Sequence, residues 1–248
     1  MEKEVRNSTN KMLMYFIVFS ITMLFAGFIS AYIVSSVGQY WVHMTPPDMF
    51  IASNFVIIAA SVCLFLSNQA IRSGAVKRAK SLLLVSLILG LGFTYTQYSG
   101  WQTLSSWGGG WSNHETELGV ATSWNKIDDL LAGNAVYGVD FDVRIDDEVL
   151  IYDETTMNFY APNDPLMVKP ITLKVKHLTN TSGGYLWVLI MVHILHLSFG
   201  LIYMLVNLLR MHKGSITSED NVQLQTLGAY WHFLGGLWIV LFFILFST

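Results

Sequence analysis

Charged residues are scarce in this 248-residue chain. Only 12% of the residues are Asp, Glu, Lys or Arg, whereas 53% are hydrophobic and the mean hydropathy is +0.47. A soluble globular domain carries about 25% charged residues, so the composition indicates an integral membrane protein. The single cysteine, Cys63, excludes an internal disulfide framework. Because Cys63 lies in an apolar run, we interpret it as a small buried hydrophobic residue.

Sequence patterns for binding metals, nucleotides and charged substrates are also missing. The chain has no cysteine cluster, no phosphate-binding glycine loop and no pair of carboxylates inside an apolar run. Transporters mark their substrate paths with intramembrane charges and are often built from inverted repeats. The sequence shows neither feature, so a transporter is disfavoured. We assign no catalytic and no metal-binding residue.

Five apolar runs are each long enough to cross a bilayer, which needs about 20 residues. They are Met12–Ser36, Met49–Ile71, Ser81–Thr103, Tyr185–Leu209 and Leu224–Phe246. The predicted fold is an all-α integral membrane bundle of five transmembrane helices, with a small extracytoplasmic β insertion between helices 3 and 4. Helices 1–3 occupy residues 1–103, the insertion occupies 104–184, and helices 4–5 occupy 185–248.

Basic residues next to the apolar runs predict the orientation of the chain. With five spans, nine of them fall on one side of the membrane: Lys3, Arg6, Lys11, Arg72, Lys77, Arg78, Lys80, Arg210 and Lys213. The short connection 37–48 on the other side has no Lys or Arg. By the positive-inside rule, the N-terminus is cytoplasmic, and the C-terminus and residues 104–184 are extracytoplasmic.

The insertion is acidic and contains strand-like patterns. Apolar and polar residues alternate in Val139–Asp146 and in Ile171–Lys176, and Val149–Tyr152 is a further candidate strand. Trp107–Trp111 is predicted to be an irregular interfacial segment. The insertion holds 12 acidic and 5 basic residues, a net charge of −7. The acidic residues do not follow a calcium-loop pattern, but they could attract a basic soluble partner such as a cytochrome domain.

Three histidines lie inside apolar runs and allow two interpretations. His193 and His196 are three residues apart in the fourth run, and His232 lies in the fifth. In the first interpretation, the chain is a membrane b-type cytochrome whose haem is ligated by His232 and by His193 or His196. In the second, the imidazoles form hydrogen bonds between helices. Spacing alone leaves both open.

An ordered set of motifs resembles subunit III of the haem-copper respiratory oxidases. Tyr230–Phe233 followed by Trp238 resembles the Tyr-Trp-His-Phe-x-Asp-x-x-Trp signature in that family's last helix. Each of the other four runs contains a motif similar to the corresponding family helix: Leu24–Tyr32; Pro46, Pro47, Asn54 and Ser61; Gly90–Tyr98; and His193–His196 with Gly200. The match resembles the five-helix bacterial form, which lacks the first two helices of the longer form.

The resemblance implies a supportive, lipid-binding subunit of cytochrome c oxidase, which reduces O₂ to water and pumps protons. The haems and copper are expected in partner subunits I and II, and no cofactor is expected in this chain. A small subunit IV and bound phospholipid are further expected partners. The acidic insertion could bind a cytochrome c domain or another respiratory complex. Because electron donors bind other subunits, a quinol oxidase subunit III is an alternative. The expected location is the bacterial inner membrane.

The resemblance also suggests residues that hold the bundle together. The candidate polar network consists of Gln97, His193, His196, Trp231 and His232. The glycines expected to allow close helix approach are Gly27, Gly90, Gly92, Gly200, Gly235 and Gly236. Three family carboxylates are replaced here, by Ile21, Gly100 and Gly235, so proton passage through those positions is not expected. Without the two extra helices, a groove should be open to lipid or to a small subunit.

Overall fold

A computed structural model describes residues 2–37, 40–108, 111–116, 119–124, 127–132, 135–146, 148–178, 182–218 and 220–247. Its helices are α1 (Glu2–Ser36), α2 (Asp48–Arg72), α3 (Val76–Ser106), α4 (Ile127–Ala132), α5 (Thr172–Leu178), α6 (Ser182–His212) and α7 (Val222–Ser247). Five of these helices, α1, α2, α3, α6 and α7, are long and apolar enough to cross a membrane. The five predicted spans are therefore confirmed, and the chain is a multi-pass membrane protein.

The chain divides into two compact units. The first comprises Met1–Ala26, Asp48–Ser99 and Met191–Phe242, and the second comprises Gly27–Pro47, Gly100–Ile190 and Phe243–Thr248. The first unit contains parts of all five long helices. Its helices are joined by aromatic packing and by hydroxyl groups that donate to backbone carbonyls of a neighbouring helix. The Ser67 hydroxyl of α2 donates to Ala79 O of α3, and the Ser86 hydroxyl of α3 donates to Ala60 O of α2, both at 2.8 Å.

The second unit contains three small antiparallel sheets. The strands are β1 (Trp41–Met44), β2 (Trp111–Thr116), β3 (Gly119–Trp124), β4 (Phe141–Ile145), β5 (Glu148–Val149), β6 (Ile151–Asp153) and β7 (Asn158–Tyr160). The order β1–β4–β5 forms the largest sheet, while β2–β3 and β6–β7 form two-stranded ribbons. Of the predicted irregular segment Trp107–Trp111, Trp107 and Gly108 form a turn at the end of α3, residues 109 and 110 lie outside the described residues, and Trp111 begins β2.

The alternating pattern in Val139–Asp146 correctly predicts β4. Its inward residues Phe141 and Val143 are fully buried, as expected for a half-buried strand. The second candidate, Val149–Tyr152, forms the adjoining strands β5 and β6 with a break at Leu150. The partner strand β1 was not predicted, because it lies in a short connection and pairs with β4 across about a hundred residues of sequence, Val42 opposite Val143.

The strand predicted over Ile171–Lys176 is wrong, because this segment forms helix α5. Ile171 and Val175 are four residues apart and so share a face of a helix as readily as of a strand. Thr172 fixes the start of the helix: its hydroxyl accepts the Phe159 N–H at 2.9 Å and donates to Asn158 at 2.8 Å. The helix buries Val175 completely and leaves Leu173 75% exposed.

Aromatic residues hold β1 against the ends of α1 and α6. The rings of Tyr32 and Trp41 are 5.3 Å apart in an edge-to-face arrangement, and Tyr185 lies 6.0 Å from Tyr32. The hydroxyl groups of Ser35 and Tyr185 are 2.9 Å apart, which links α1 directly to α6. Aromatic residues with a polar tip are typical of membrane boundaries. The sheet is therefore anchored where these two helices end.

His43 of β1 is largely buried beside Asp142 and Arg144 of β4. The Nδ1 atom of His43 lies 3.4 Å from Arg144 Nη2 and 3.9 Å from Asp142 Oδ1, and the side chain is only 12% exposed. Burial is the main cause that lowers the pKa of His43 below its ordinary value of 6.5, and the Arg144 charge adds to it. Asp142 and the backbone of Phe246 act in the opposite direction. Folding therefore favours the neutral imidazole.

Acid should weaken the second unit through His43. Since the folded pKa lies below the unfolded one, the unfolded chain binds more protons as the pH falls below 6.5, and stability is lost in that direction. The protection factors of the β1 and β4 amides, which are their exchange rates corrected for the intrinsic effect of pH, are expected to fall between about pH 7 and about pH 5. The variant His43→Gln should flatten this dependence, while His212→Gln, at the exposed end of α6, should not. An unchanged pH profile in His43→Gln would contradict the assignment.

Candidate functional site

A groove of about 650 Å³ opens along the first unit. Its apolar wall includes Leu13, Ile17 and Ile21 of α1 and Phe199 of α6. The α1 side of the groove is partly open, since the Leu13 side chain is 56% exposed. A long apolar groove on a membrane helix pair has the chemistry that binds acyl chains.

Polar residues close one end of the groove. Arg210 lies in the last turn of α6, and its Nη1 donates to Gln223 Oε1 at 2.6 Å. Tyr203 donates to the Gln223 carbonyl at 3.1 Å, and its hydroxyl lies 2.8 Å from that of Thr226. The Arg210 side chain is exposed. This end of the groove thus combines one cation with several hydrogen-bonding groups.

Ile21, where the sequence resemblance implies the replacement of a glutamate, also lies in the groove. It is buried there, in a lining that includes His196 and Tyr230. Since isoleucine cannot ionise, the groove wall is apolar at this point. The two other substituted positions are glycines: Gly235 packs inside the bundle, and Gly100 lies near the end of α3.

The core of the bundle is built around His193, which is fully buried. Its ring lies 5.5 Å from that of Trp238 and 6.3 Å from those of Phe25 and Phe93. Trp238 also donates its indole N–H to Ser53 Oγ at 3.1 Å, which joins α7 to α2. Four helices therefore meet at this aromatic cluster of Phe25, Phe93, His193 and Trp238.

All five predicted network residues belong to the first unit. Gln97 and Trp231 are fully buried like His193, and none of their side-chain nitrogen or oxygen atoms has a hydrogen-bond partner among the described residues. His196 is bonded through Nδ1 to Val192 O of its own helix, at 2.7 Å. A network joining these residues to one another stays a prediction.

Other side chains make the hydrogen bonds between α6 and α7. Tyr230 donates to the His196 carbonyl at 2.9 Å, and Tyr203 bonds to Gln223 and Thr226. Sequence reasoning concentrated on the histidines because intramembrane ionisable groups are rare, and it did not select the tyrosines. The signal was available, since a tyrosine inside a spanning helix also needs a partner for its hydroxyl group.

Three of the predicted glycines lie at tight helix contacts. A Cβ placed on Gly90 would lie 2.7 Å from Leu201 Cδ2 and 2.8 Å from Trp231 Cη2. The corresponding closest distances are 3.2 Å at both Gly200 and Gly235. At Gly92 the nearest atom is at 3.9 Å, and at Gly27 and Gly236 no atom of the described residues comes within 4 Å.

His232 lies in a second, more polar pocket of about 280 Å³. The pocket is formed between the C-terminal part of α2, which contributes Asn68 and Arg72, and the first half of α7, which contributes Gln225. His196 lines the first groove instead, and His193 is enclosed by aromatic rings. His232 and His196 thus line different pockets, so the arrangement gives no support to haem ligation by these two histidines.

The described residues contain no group of three or more His, Cys, Asp or Glu side chains placed to hold a metal ion. His114 and His177 lie outside the residues whose side chains are described. What the structure shows is a bundle with an apolar groove that ends at a cation, and with an aromatic core.

Comparison with known proteins gives one informative likeness. No protein-family model matches the chain. A stretch of 54 residues is 37% identical to cytochrome bo(3) ubiquinol oxidase subunit 3 of Pseudomonas aeruginosa. The matched stretch covers 22% of this chain and 26% of that relative, about a quarter of each. Part of the chain is thus similar to subunit 3 of a respiratory oxidase.

Proposed function

We propose that this chain is subunit III of a haem-copper terminal oxidase. The observation that carries the proposal is the 37% identity to a subunit 3 of a ubiquinol oxidase. Five spanning helices, with similar motifs in the same order along the chain, agree with it. The reaction of the whole complex would be the reduction of O₂ to water, coupled to proton translocation.

The role of this chain in the complex is structural. The redox centres belong to subunits I and II, and a small subunit IV completes the assembly. In support, the described intramembrane residues offer aromatic packing and interhelical hydrogen bonds instead of a ligand set. The apolar residue Ile21 and the glycines Gly100 and Gly235 stand where the family carries carboxylates, so this chain would not relay protons through those positions.

The electron donor is the finer part of the proposal. Family motifs first suggested cytochrome c, whereas the relative is named as a ubiquinol oxidase subunit. That likeness favours ubiquinol as donor over cytochrome c. The donor would bind another subunit, so the assay must use the whole complex.

The proposed location is the bacterial inner membrane, with the N-terminus in the cytoplasm. The nine basic residues lie in the first part of α1 and at the helix ends around the α2–α3 and α6–α7 connections, and this distribution supports the orientation. The C-terminus and residues 104–184 would then be extracytoplasmic. Exposed acidic residues of the insertion, such as Asp146, Glu148 and Glu154, would present a surface for a basic cytochrome c domain or for another respiratory complex.

Affinity purification of the chain from its native membranes tests the proposal. Mild detergent should recover it with a catalytic subunit that contains haem and copper, and with a copper-bearing or related second subunit. Oxygen uptake by that preparation should then be compared with a quinol and with reduced cytochrome c. Recovery of the chain alone, with stoichiometric haem that is lost in His232→Ala, would instead establish the b-type cytochrome.

The groove is proposed to hold a phospholipid of the complex. Its apolar wall would contact the acyl chains, and Arg210 with Gln223 would face the phosphate. In support, the planar guanidinium of arginine can donate two parallel hydrogen bonds to a phosphate group. A small additional subunit is the competing occupant, and mass spectrometry of the purified complex separates the two by finding lipid or a peptide in contact with Phe199 after photocrosslinking.

Replacing Arg210 should weaken lipid retention. An exposed charge contact is worth about 1 kcal/mol, so Arg210→Gln should retain the phospholipid roughly fivefold less well during detergent washing. Lys213→Gln is the matched control, because Lys213 is also exposed but lies outside the groove lining. Phosphorus analysis of the washed protein gives the readout. Equal lipid content in both variants would place the lipid elsewhere.

A further inference from the structure

A short segment of the insertion exposes apolar side chains with no obvious structural need. Leu166 is 84% exposed, Val168 76% and Leu173 75%. These are among the highest exposures of large hydrophobic residues in the described chain, and they belong to the second unit, outside the long apolar helices. Three strongly exposed apolar side chains so close in sequence, two on a loop and one on helix α5, are typical of an interaction surface.

The loop that carries Leu166 and Val168 has a defined shape. The carboxylate of Asp164 accepts the backbone N–H of Lys169 at 2.8 Å and that of Val168 at 3.3 Å. The Asp164 carbonyl accepts the Met167 N–H at 3.1 Å. These hydrogen bonds close the loop, and the resulting turn holds the Leu166 and Val168 side chains outward.

The charge around this segment is opposite to that of the rest of the insertion. Three of the five basic residues of 104–184 fall within Lys169–Lys176, and residues 165–178 contain no Asp or Glu. Lys176 is paired with Asp128 at 2.6 Å. Lys169 and Lys174 are exposed. Apolar residues flanked by lysines are typical of segments that enter an anionic lipid surface.

The position of the insertion fits such a role. In the second unit, β1 is held against the ends of α1 and α6 by Tyr32, Trp41 and Tyr185. Helix α5, which begins with Thr172, ends only a few residues before α6 starts at Ser182. The insertion is therefore tied to the membrane boundary by its own chain.

We propose that the segment Leu166–Lys174 is a membrane-surface anchor, in which Leu166, Val168 and Leu173 enter the headgroup region while Lys169 and Lys174 contact anionic phospholipid. The segment would bind the bilayer that the chain itself spans, on the side where α3 ends and α6 begins. The anchor would fix the otherwise acidic insertion, which an anionic surface repels. This inference needs the chain to span a membrane but does not depend on its being an oxidase subunit.

Depth-dependent fluorescence quenching tests the anchor. The full chain carrying Cys63→Ala and Leu166→Cys is labelled with an environment-sensitive fluorophore and placed in nanodiscs. Val139→Cys is the matched control, because Val139 is 66% exposed but adjoins Asp140. In discs containing phosphatidylglycerol, the Leu166 label should be quenched several-fold more than the Val139 label by lipids spin-labelled near the headgroup, and less by aqueous iodide.

The lysines are tested in the same preparation. Lys169→Gln combined with Lys174→Gln should reduce quenching by the spin-labelled lipid to the level found in discs of phosphatidylcholine alone. Equal iodide access at positions 166 and 139 would overturn the anchor. Equal lipid quenching in the two disc compositions would overturn the role of anionic lipid. Protection of the Leu166 label only in complexes purified from native membranes would show a subunit interface instead and would also overturn the proposal.

Discussion

Replacement of Trp238 by alanine is expected to destabilise the bundle by about 3–5 kcal/mol, the usual cost of removing a buried tryptophan side chain. The Trp238 side chain is fully buried and contacts aromatic residues on three other helices. Its ring centroid lies 5.9 Å from that of Phe50, 5.7 Å from that of Phe93 and 5.5 Å from that of His193. Alanine would leave a cavity where these helices meet.

A smaller aromatic residue should retain part of this stability. Trp238→Phe keeps one aromatic ring but loses the volume of the other ring and the N–H that donates to Ser53 Oγ, a bond worth about 1 kcal/mol, so its cost should lie between that value and the cost of Trp238→Ala. Ser53 Oγ still donates to the Phe50 carbonyl at 2.7 Å and is not left without a partner. The ordering of stability should therefore be wild type, Trp238→Phe, Trp238→Ala.

Denaturation in mixed detergent micelles, followed by circular dichroism, measures these differences. Tyr95→Ala is the control, because Tyr95 is an aromatic residue of a spanning helix that is 69% exposed. That variant should unfold like the wild type. If Trp238→Ala unfolds together with Tyr95→Ala, the aromatic cluster does not hold the bundle, and the packing described around His193 is wrong.

The helices were predictable because one physical requirement dominates them. A spanning helix must hide its backbone polar groups from lipid over about 20 residues, so apolar length alone locates it. The predicted runs differ from the observed helices mainly at the ends: the third run starts at Ser81, but α3 begins at Val76. Lys77, Arg78 and Lys80 interrupt the apolar run without interrupting the helix, since straight-chain basic residues favour helical backbone.

The insertion was harder to predict because its pairing is non-local. β4 shows a clear period of two, whereas Trp41–Met44 is too short to stand out until its partner is known. Period alone also failed at Ile171–Lys176, where Ile171 and Val175 share a helix face as readily as a strand face. There the deciding contacts come from Asn158 and Phe159, which bind Thr172 from a strand earlier in the chain.

The sequence predicts which types of residue form the candidate site better than it predicts the contacts between them. Helix-packing glycines could be recognised from small residues in spanning helices, and Gly90, Gly200 and Gly235 lie at such contacts. Which polar groups pair could not be read from the sequence, because it depends on the rotation of each helix. That rotation directs Tyr230 to the His196 carbonyl and encloses the His193 ring among aromatic residues.

The second large effect is expected at Gly90, where a single methyl group should reverse the usual sign of a glycine-to-alanine change. In an open helix position, alanine is favoured over glycine by about 1 kcal/mol. At Gly90 the new Cβ would lie 2.7 Å from Leu201 Cδ2 and 2.8 Å from Trp231 Cη2. Leu201 can rotate away, but the Trp231 ring is fully buried and can move only if α7 moves with it.

Gly90→Ala is therefore expected to destabilise the bundle by about 1–3 kcal/mol through overpacking, and Gly90→Leu to prevent a stable bundle from forming. Gly236→Ala is the matched control, since a Cβ there meets no described atom within 4 Å, and it should be neutral or stabilising. The same denaturation assay compares the three variants. The control carries the same change of residue in another spanning helix, so both variants gain the same helix propensity. If Gly90→Ala lowers the free energy of unfolding and Gly236→Ala does not, the difference is due to the close approach of α3, α6 and α7. Stabilisation by both alanine variants would show that these helices do not approach as closely at Gly90 as the structure indicates.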